Sequence, residues 1–354
     1  MLAQHCEIDW HGFYSNRLRY TICSWNTSGF EALQSLPIAK RAWVVQERLL
    51  APRVLHFGAD QLFWECKDVI LASESLPFGI PLNIADYYGR RAFTTGPPSD
   101  RPRRTSDGHT ISPSSPWEPW QSIVKEYTSC SLTYPDKDKF SALAGIAERQ
   151  AEGRDDQFVV GFFRPDILWD IVWYVKPENS TLTKRTLKGR APTWSWASVD
   201  GPIHFRMRWG GRSTLVARLK GITLDRSNNI YSGLQTGAIE IESFLFPAVC
   251  MRVIRKNGKE AVELVDPPSD TAGYLKPHWS WFLLFDDQCS IKQEKMRIDL
   301  LRIESEPTGP EAGLILRWND VHKAYNRLGM FLADSDAAEQ LRINSITLDS
   351  VEIE

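Results

Sequence analysis

The chain has 354 residues, 42% of them hydrophobic, enough to bury one large core or two ordinary ones, so it does not read as a disordered protein. Forty-two Lys and Arg against 44 Asp and Glu leave a formal charge of −2, which provides no net field toward nucleic acid or anionic lipid. Six cysteines, at 6, 23, 66, 130, 250 and 289, form no CxxC pair and no dense framework, a pattern that fits a reducing compartment and argues against a disulfide scaffold.

The opening MLAQHCEIDWHGFY carries acidic and histidine residues where a signal peptide needs a basic start and an apolar run. No later segment reaches the roughly 18 to 20 apolar residues of a membrane span, so the expectation is a cytoplasmic protein with no membrane partner. His5, Cys6 and His11 are zinc-type donors, but no fourth ligand is placed and no metal site is assigned.

Pro37 followed by IAKRAWVVQERLL predicts a helix with Ile38, Ala42, Val45 and Leu49 on one face, stopped by Pro52. VLHFGADQLFWEC then predicts a hairpin about Gly58, Ala59 and Asp60, with Leu62, Trp64 and Cys66 on one side and Phe63 and Glu65 on the other. His56 reads as a strand histidine with one satisfied nitrogen.

Residues 95–116, TGPPSDRPRRTSDGHTISPSSP, hold too few apolar side chains to offset the entropy of ordering and read as a disordered linker; Arg101, Arg103 and Arg104 are scattered solvated charge. Helical spacing returns with Trp120, Ile123, Val124 and Tyr127. It recurs after Asp136, an expected N-cap, with Phe140, Leu143, Ile146 and Ala147, and a third apolar helix is expected over 166–175.

After Gly189 the texture changes to short alternating runs separated by turn residues. They are TWSWASV, STLVARLKGITL, GAIEIESFLF, AVCMRVI, EAVELV, SWFLLF, RIDLLRI, GLILRW, RLGMFLA and SITLDSVEI, which together predict an antiparallel region of sandwich or barrel type. Several of the 14 tryptophans come as near neighbours: Trp169 with Trp173, Trp194 with Trp196, Trp279 with Trp281. Each indole buries about 150–250 Å² and needs a partner for its N–H, so they build either a core of large rings or a stacking surface for a ligand.

No GxGxxG follows a strand, no GxxxxGK[ST] occurs, and no GxSxG surrounds a serine, so no dinucleotide fingerprint, P-loop or nucleophile elbow is visible. Ser195, in TWSWAS, reads as a strand serine between two packed indoles.

Four longer segments carry more information together: RAWVVQERLLAPRVLHFGADQLFWEC (41–66), WQSIVKEYTSCSLTYPDKDKFSALAGIAE (120–148), FVVGFFRPDILWDIVWY (158–174) and APTWSWASVDGPI (191–203). In this order they resemble fungal heterokaryon-incompatibility (HET) domain proteins, the resemblance resting on Arg41, Trp43, Gln46, Arg48, Trp64, Trp194 and Trp196. That family's tyrosine-rich first strand motif ending in Trp-Gly and its Trp-Ile-Asp strand do not precede Arg41, so the domain is expected to be truncated on its N-terminal side.

The resemblance implies an α+β protein. Its α-rich N-terminal half, with a short β-hairpin, would be the remnant of a TIR-like α/β domain, and its C-terminal half would be antiparallel β. The division expected is a domain remnant at 1–94, the linker at 95–116, a helical segment at 117–188 and a β region at 189–354. The family acts in self/non-self recognition and incompatibility-linked cell death, which implies a protein partner, no nucleic acid and no cofactor. Glu47 is the one carboxylate within QERLL. An alternative inherited from TIR domains would have Glu47 stabilise the ribosyl cation of NAD cleavage, with NAD then the substrate. The other reading of Glu47 is a partly exposed helix residue pairing with an arginine.

Overall fold

The computed structural model describes residues 5–11, 17–23, 33, 35–59, 61–66, 71–74, 103–104, 110–111, 118–152, 157–176, 179, 183–186, 189–206, 213–224, 236–254, 260–265, 281–287, 295–307 and 309–354. The chain divides into two compact units, residues 1–40 with 51–96, and residues 41–50 with 97–354.

In the first unit β1 (His5–His11) pairs antiparallel with β2 (Arg17–Cys23), in register from His5 opposite Cys23 to His11 opposite Arg17. The hairpin expected around Gly58 forms from β3 (Arg53–Phe57) and β4 (Leu62–Cys66), and β5 (Ala72–Ser73) adds to β4. Alternation along β4 buries Phe63 with Leu33 and Leu71, while Trp64 and its cross-strand neighbour Leu55 are exposed. His56 Nε2 lies 2.7 Å from Glu65 Oε2 across the same pair of strands. Ile38 does not belong to the helix face expected of it: Pro37–Lys40 is a 3₁₀ turn and Ile38 is exposed there.

The second unit opens with α1 (Ala42–Leu50), which buries Ala42 and Val45 as the spacing predicts. Of the stretch 95–116, the paired two-residue strands β6 (Arg103–Arg104) and β7 (Thr110–Ile111) are described; the rest of the expected linker lies outside the described residues. Next come α2 (Glu118–Thr128) and α3 (Pro135–Ala151), whose apolar stripes Trp120, Ile123, Val124, Tyr127 and Phe140, Leu143, Ile146, Ala147 are buried. The N-cap of α3 is Tyr134 rather than Asp136, because Pro135, with its fixed φ and missing N–H, takes the first helical position. Asp136 and Asp138 then sit in the first turn, where the helix dipole favours acidic groups.

A tight hairpin, β8 (Phe158–Val159) and β9 (Phe162–Phe163), precedes a helix much shorter than the one expected over 166–175: α4 spans Ile167–Asp170. Ile167, Leu168, Ile171, Val172, Trp173 and Val175 are all buried, so this segment has no polar face and is held by its surroundings rather than by an amphipathic helix. TWSWASV is likewise not one strand. Ser195 caps a 3₁₀ turn at Trp196–Ser198, and only Val199–Asp200 (β11) is extended, pairing with β10 (Lys184–Arg185).

The expected β region is one nine-stranded, mostly antiparallel sheet, giving a mixed α+β chain. Its centre is β14 (Gly237–Ile254), a single strand running through Pro247 where two separate runs were expected. Pro247 is exposed, opposite Asp299, between buried Phe246 and Ala248. β14 pairs along Leu245–Met251 with β17 (Lys295–Ser305) and along Ile239–Leu245 with β20 (Ile346–Ile353). β17 pairs with β18 (Glu311–Asn319), and β18 with β19 (Ala324–Ala333).

β19 meets β20 in parallel at Tyr325 and Ile353, which closes a circuit of five strands, a small barrel. Parallel neighbours need a crossover connection, and α5 (Ser335–Asn344), not foreseen from the sequence, provides it. Asp334 caps α5 by accepting from Ala337 N, and Ala337, Ala338 and Leu341 pack on Ile298, Leu300 and Phe331. β12 (Thr214–Leu215), β13 (Arg218–Leu224), β15 (Glu260–Val265) and β16 (Trp281–Phe285) attach to β17, β14, β14 and β19. No described helix is long and apolar enough to cross a membrane.

Candidate functional site

The QERLL residues act first as a helix clamp. Gln46 Oε1 accepts a hydrogen bond from Gly145 N of α3 at 2.8 Å, and Trp43 Nε1 donates to Asp138 Oδ2 at 3.3 Å. Ala42 N donates to Ser131 O at 3.0 Å, beside exposed Arg41. Arg48 is half-buried. Glu47 is exposed on α1 and lines neither cleft described here.

The second and fourth segments converge on the third. Between β8 and β9 the chain turns at Val160 (φ +44°) and Gly161 (φ +97°), the two left-handed positions of a tight hairpin turn. Gly161 O accepts from Trp120 Nε1 at 3.0 Å and from Trp196 Nε1 at 2.8 Å; Val160 O accepts from Ser195 Oγ at 2.7 Å. Trp173 Nε1 donates to Trp194 O at 2.9 Å, and Trp194 stacks on Phe162 at 6.0 Å. Trp120, Trp173, Trp194 and Trp196 are wholly buried, so these four indoles form a core and do not face a cleft. Trp279 and the side chain of Trp281 lie outside the described residues, as do the side chains of His5, Cys6 and His11.

Trp64, in the first unit, is exposed and lines an apolar cleft of about 290 Å³ with Leu55, Leu62, Phe63 and Ala72. A second, more polar cleft of about 310 Å³ lies in the second unit between the end of α2, the first turn of α3 and residues 200–202. Its wall holds Tyr127, which the sequence placed only on a helix face, Cys130, one of the six scattered cysteines, and Lys139 and Asp200, which the sequence did not single out. The available signal was spacing: Lys139 shares the buried face of Leu143 and Ile146 at i, i+4 and i+7, where an ammonium must be paired.

The Lys139 side chain is 5% exposed, donates to Val199 O at 3.0 Å and lies 3.6 Å from Asp200 Oδ1. Buried Arg190 shares that carboxylate at 2.7 Å, reaches Asp136 at 3.3 Å and donates to Ala197 O and Val199 O. Burial, with Arg190 close by, pushes the Lys139 amine down to about 8 against the opposing pull of Asp200. Burial, then Glu126, pushes the Cys130 thiol up to about 11, so it remains a thiol near neutral pH rather than a nucleophilic thiolate. The Tyr127 hydroxyl, donating to Lys139 O, is raised well above its ordinary value by burial. Among the described residues no group of three or more His, Cys, Asp or Glu side chains is placed to hold a metal ion.

No family model, curated protein or solved structure matches the chain.

Proposed function

We propose that the chain is a HET-like protein of fungal self/non-self recognition and incompatibility-linked cell death, working in the cytoplasm through a protein partner rather than by catalysis. One observation carries the reading. Parts of all four resembling segments, spread over residues 41–203, meet within the second unit: Gln46 accepts from Gly145, and Trp120 and Trp196 both donate to Gly161. Contacts of this kind are what the reading expects if the four segments belong to one domain. The exposed setting of Glu47 favours a structural role over NAD cleavage, which needs a carboxylate inside a pocket.

The test is expression of the chain and of its Glu47→Ala variant in a fungal host, with viability and cellular NAD followed together. Death from both proteins at unchanged NAD is the expected result. NAD loss that disappears in the variant would establish the catalytic alternative instead, and full viability with both proteins would overturn the cell-death reading.

A further inference from the structure

We propose that Lys139 is a reactive amine: the cleft beside it admits a small aldehyde or ketone, which the lysine captures as an imine while Asp200 carries the proton. This goes beyond the protein-partner reading and stands whether or not that reading holds.

The geometry supplies three requirements together. A cleft of about 310 Å³ opens beside the lysine, walled by the end of α2, Pro135 and residues 200–202. The amine is already largely stripped of water, at 5% exposure. As a neutral amine it has two N–H groups, for which Val199 O and Asp200 are the acceptors, and one lone pair left for a carbonyl carbon, with the Trp196 ring 5.7 Å away. The charged groups facing it are Asp200 and Arg190, with Asp136 bound to Arg190. Tyr127 and Cys130 stay protonated and neutral near pH 7. An amine held near 8 is partly unprotonated at neutral pH, whereas a lysine at its ordinary value near 10.5 is almost wholly ammonium.

The step balances without an oxidant or reductant. The neutral amine forms a C–N bond to the carbonyl carbon as the C=O π pair moves to oxygen. Asp200 takes one proton from nitrogen and passes it to that oxygen, giving a carbinolamine; it then carries the second nitrogen proton to the hydroxyl, which leaves as water as the nitrogen lone pair forms the imine double bond. A lysine that only ties down the Val199 carbonyl would instead be shielded by its burial.

Site-resolved reductive labelling of the full native chain distinguishes the two roles, with acetaldehyde and cyanoborohydride as the probe and peptide mass mapping as the readout. Lys137, exposed on the same helix, is the internal comparator. Lys139 is expected to be modified about tenfold faster than Lys137 at pH 7, with a rate at Lys139 that levels off above about pH 8. The preference should vanish in urea. Asp200→Asn, once shown by its melting curve to be folded, should slow labelling at Lys139 and leave Lys137 unchanged; an unchanged rate at Lys139 removes Asp200 from the step. Labelling of Lys139 no faster than of Lys137 in the native chain overturns the proposal.

Discussion

Gly161 offers one carbonyl to two indole N–H groups, and its own backbone sits at φ +97°, where a side chain is strained. A Cβ placed there would lie 2.6 Å from Trp196 Nε1, against a ring that is wholly buried and has nowhere to retreat. Strain, overpacking and disturbed hydrogen bonds act in the same direction. Gly161→Ala is therefore expected to cost about 3 kcal/mol or more, read as a lower urea midpoint followed by tryptophan fluorescence. Asp299 makes the opposite kind of prediction, because burial raises its carboxyl to about 6 from the ordinary 3.8. Between those values the folded chain binds more protons than the unfolded one, so this contribution is fully present below about pH 4 and is lost as pH rises through about 6. The group is only half-buried, and solvent screening reduces the effect to about 1 kcal/mol. Asp299→Asn should flatten the stability difference between pH 4 and pH 7 and raise stability at pH 7; an unchanged pH profile would show that Asp299 titrates normally.

The elements legible in the sequence were those whose periodicity matched their burial. The α1, α2 and α3 stripes, the β3–β4 hairpin and strands such as β13 and the first half of β14 alternate in burial, and alternation or 3.6-residue spacing records that directly; β17, β18 and β19, buried over long runs on both faces, were legible as short apolar runs bounded by turn residues. The segments at 166–175 and 193–199 were misread because they are buried around most of their circumference, with only Asp166, Trp169, Tyr174 and Thr193 partly open, so period carries little information there and tertiary partners decide the conformation. The helix α5 escaped because its buried stripe is two alanines and one leucine, a weak apolar signal. The α1–α3 contact shows how much a motif conceals when read alone. A Cβ at Gly145 would meet Leu50 Cδ1 at 2.9 Å and Gln46 Oε1 at 3.3 Å, both ends of side chains that have room to shift. Alanine gains about 1 kcal/mol of helix propensity over glycine there, which offsets that adjustment, so Gly145→Ala is expected within about 1 kcal/mol of the parent. Gly145→Leu has no such room. It should separate the helices, break the Gln46 bond and cost about 2 kcal/mol or more in thermal or urea unfolding.

At the scale of the whole second unit, the charged groups that join the barrel to the tryptophan-rich segments were the least legible feature, since no local pattern announces a buried ion pair. Arg327 of β19 and Asp286 are both fully buried and 3.0 Å apart. Arg327 also donates to Ile171 O and Trp173 O, and its guanidinium stacks 3.7 Å from the Trp173 ring. Arg185 bonds the same carboxylate at 2.8 Å and the Ser198 hydroxyl at 2.9 Å, so one aspartate gathers strands from the barrel and both sides of the TWSWAS segment. Burying such charges costs desolvation, and the pair need not stabilise the fold relative to apolar residues. Removing one partner is a different matter, because it strands the other. Asp286→Leu and Arg327→Met are each expected to lose about 3–5 kcal/mol, with the double variant losing well under the sum. A double-mutant cycle on urea unfolding measures this. Additive losses would mean that the two charges are stabilised independently, and that the barrel and the tryptophan segments are held together by apolar packing instead.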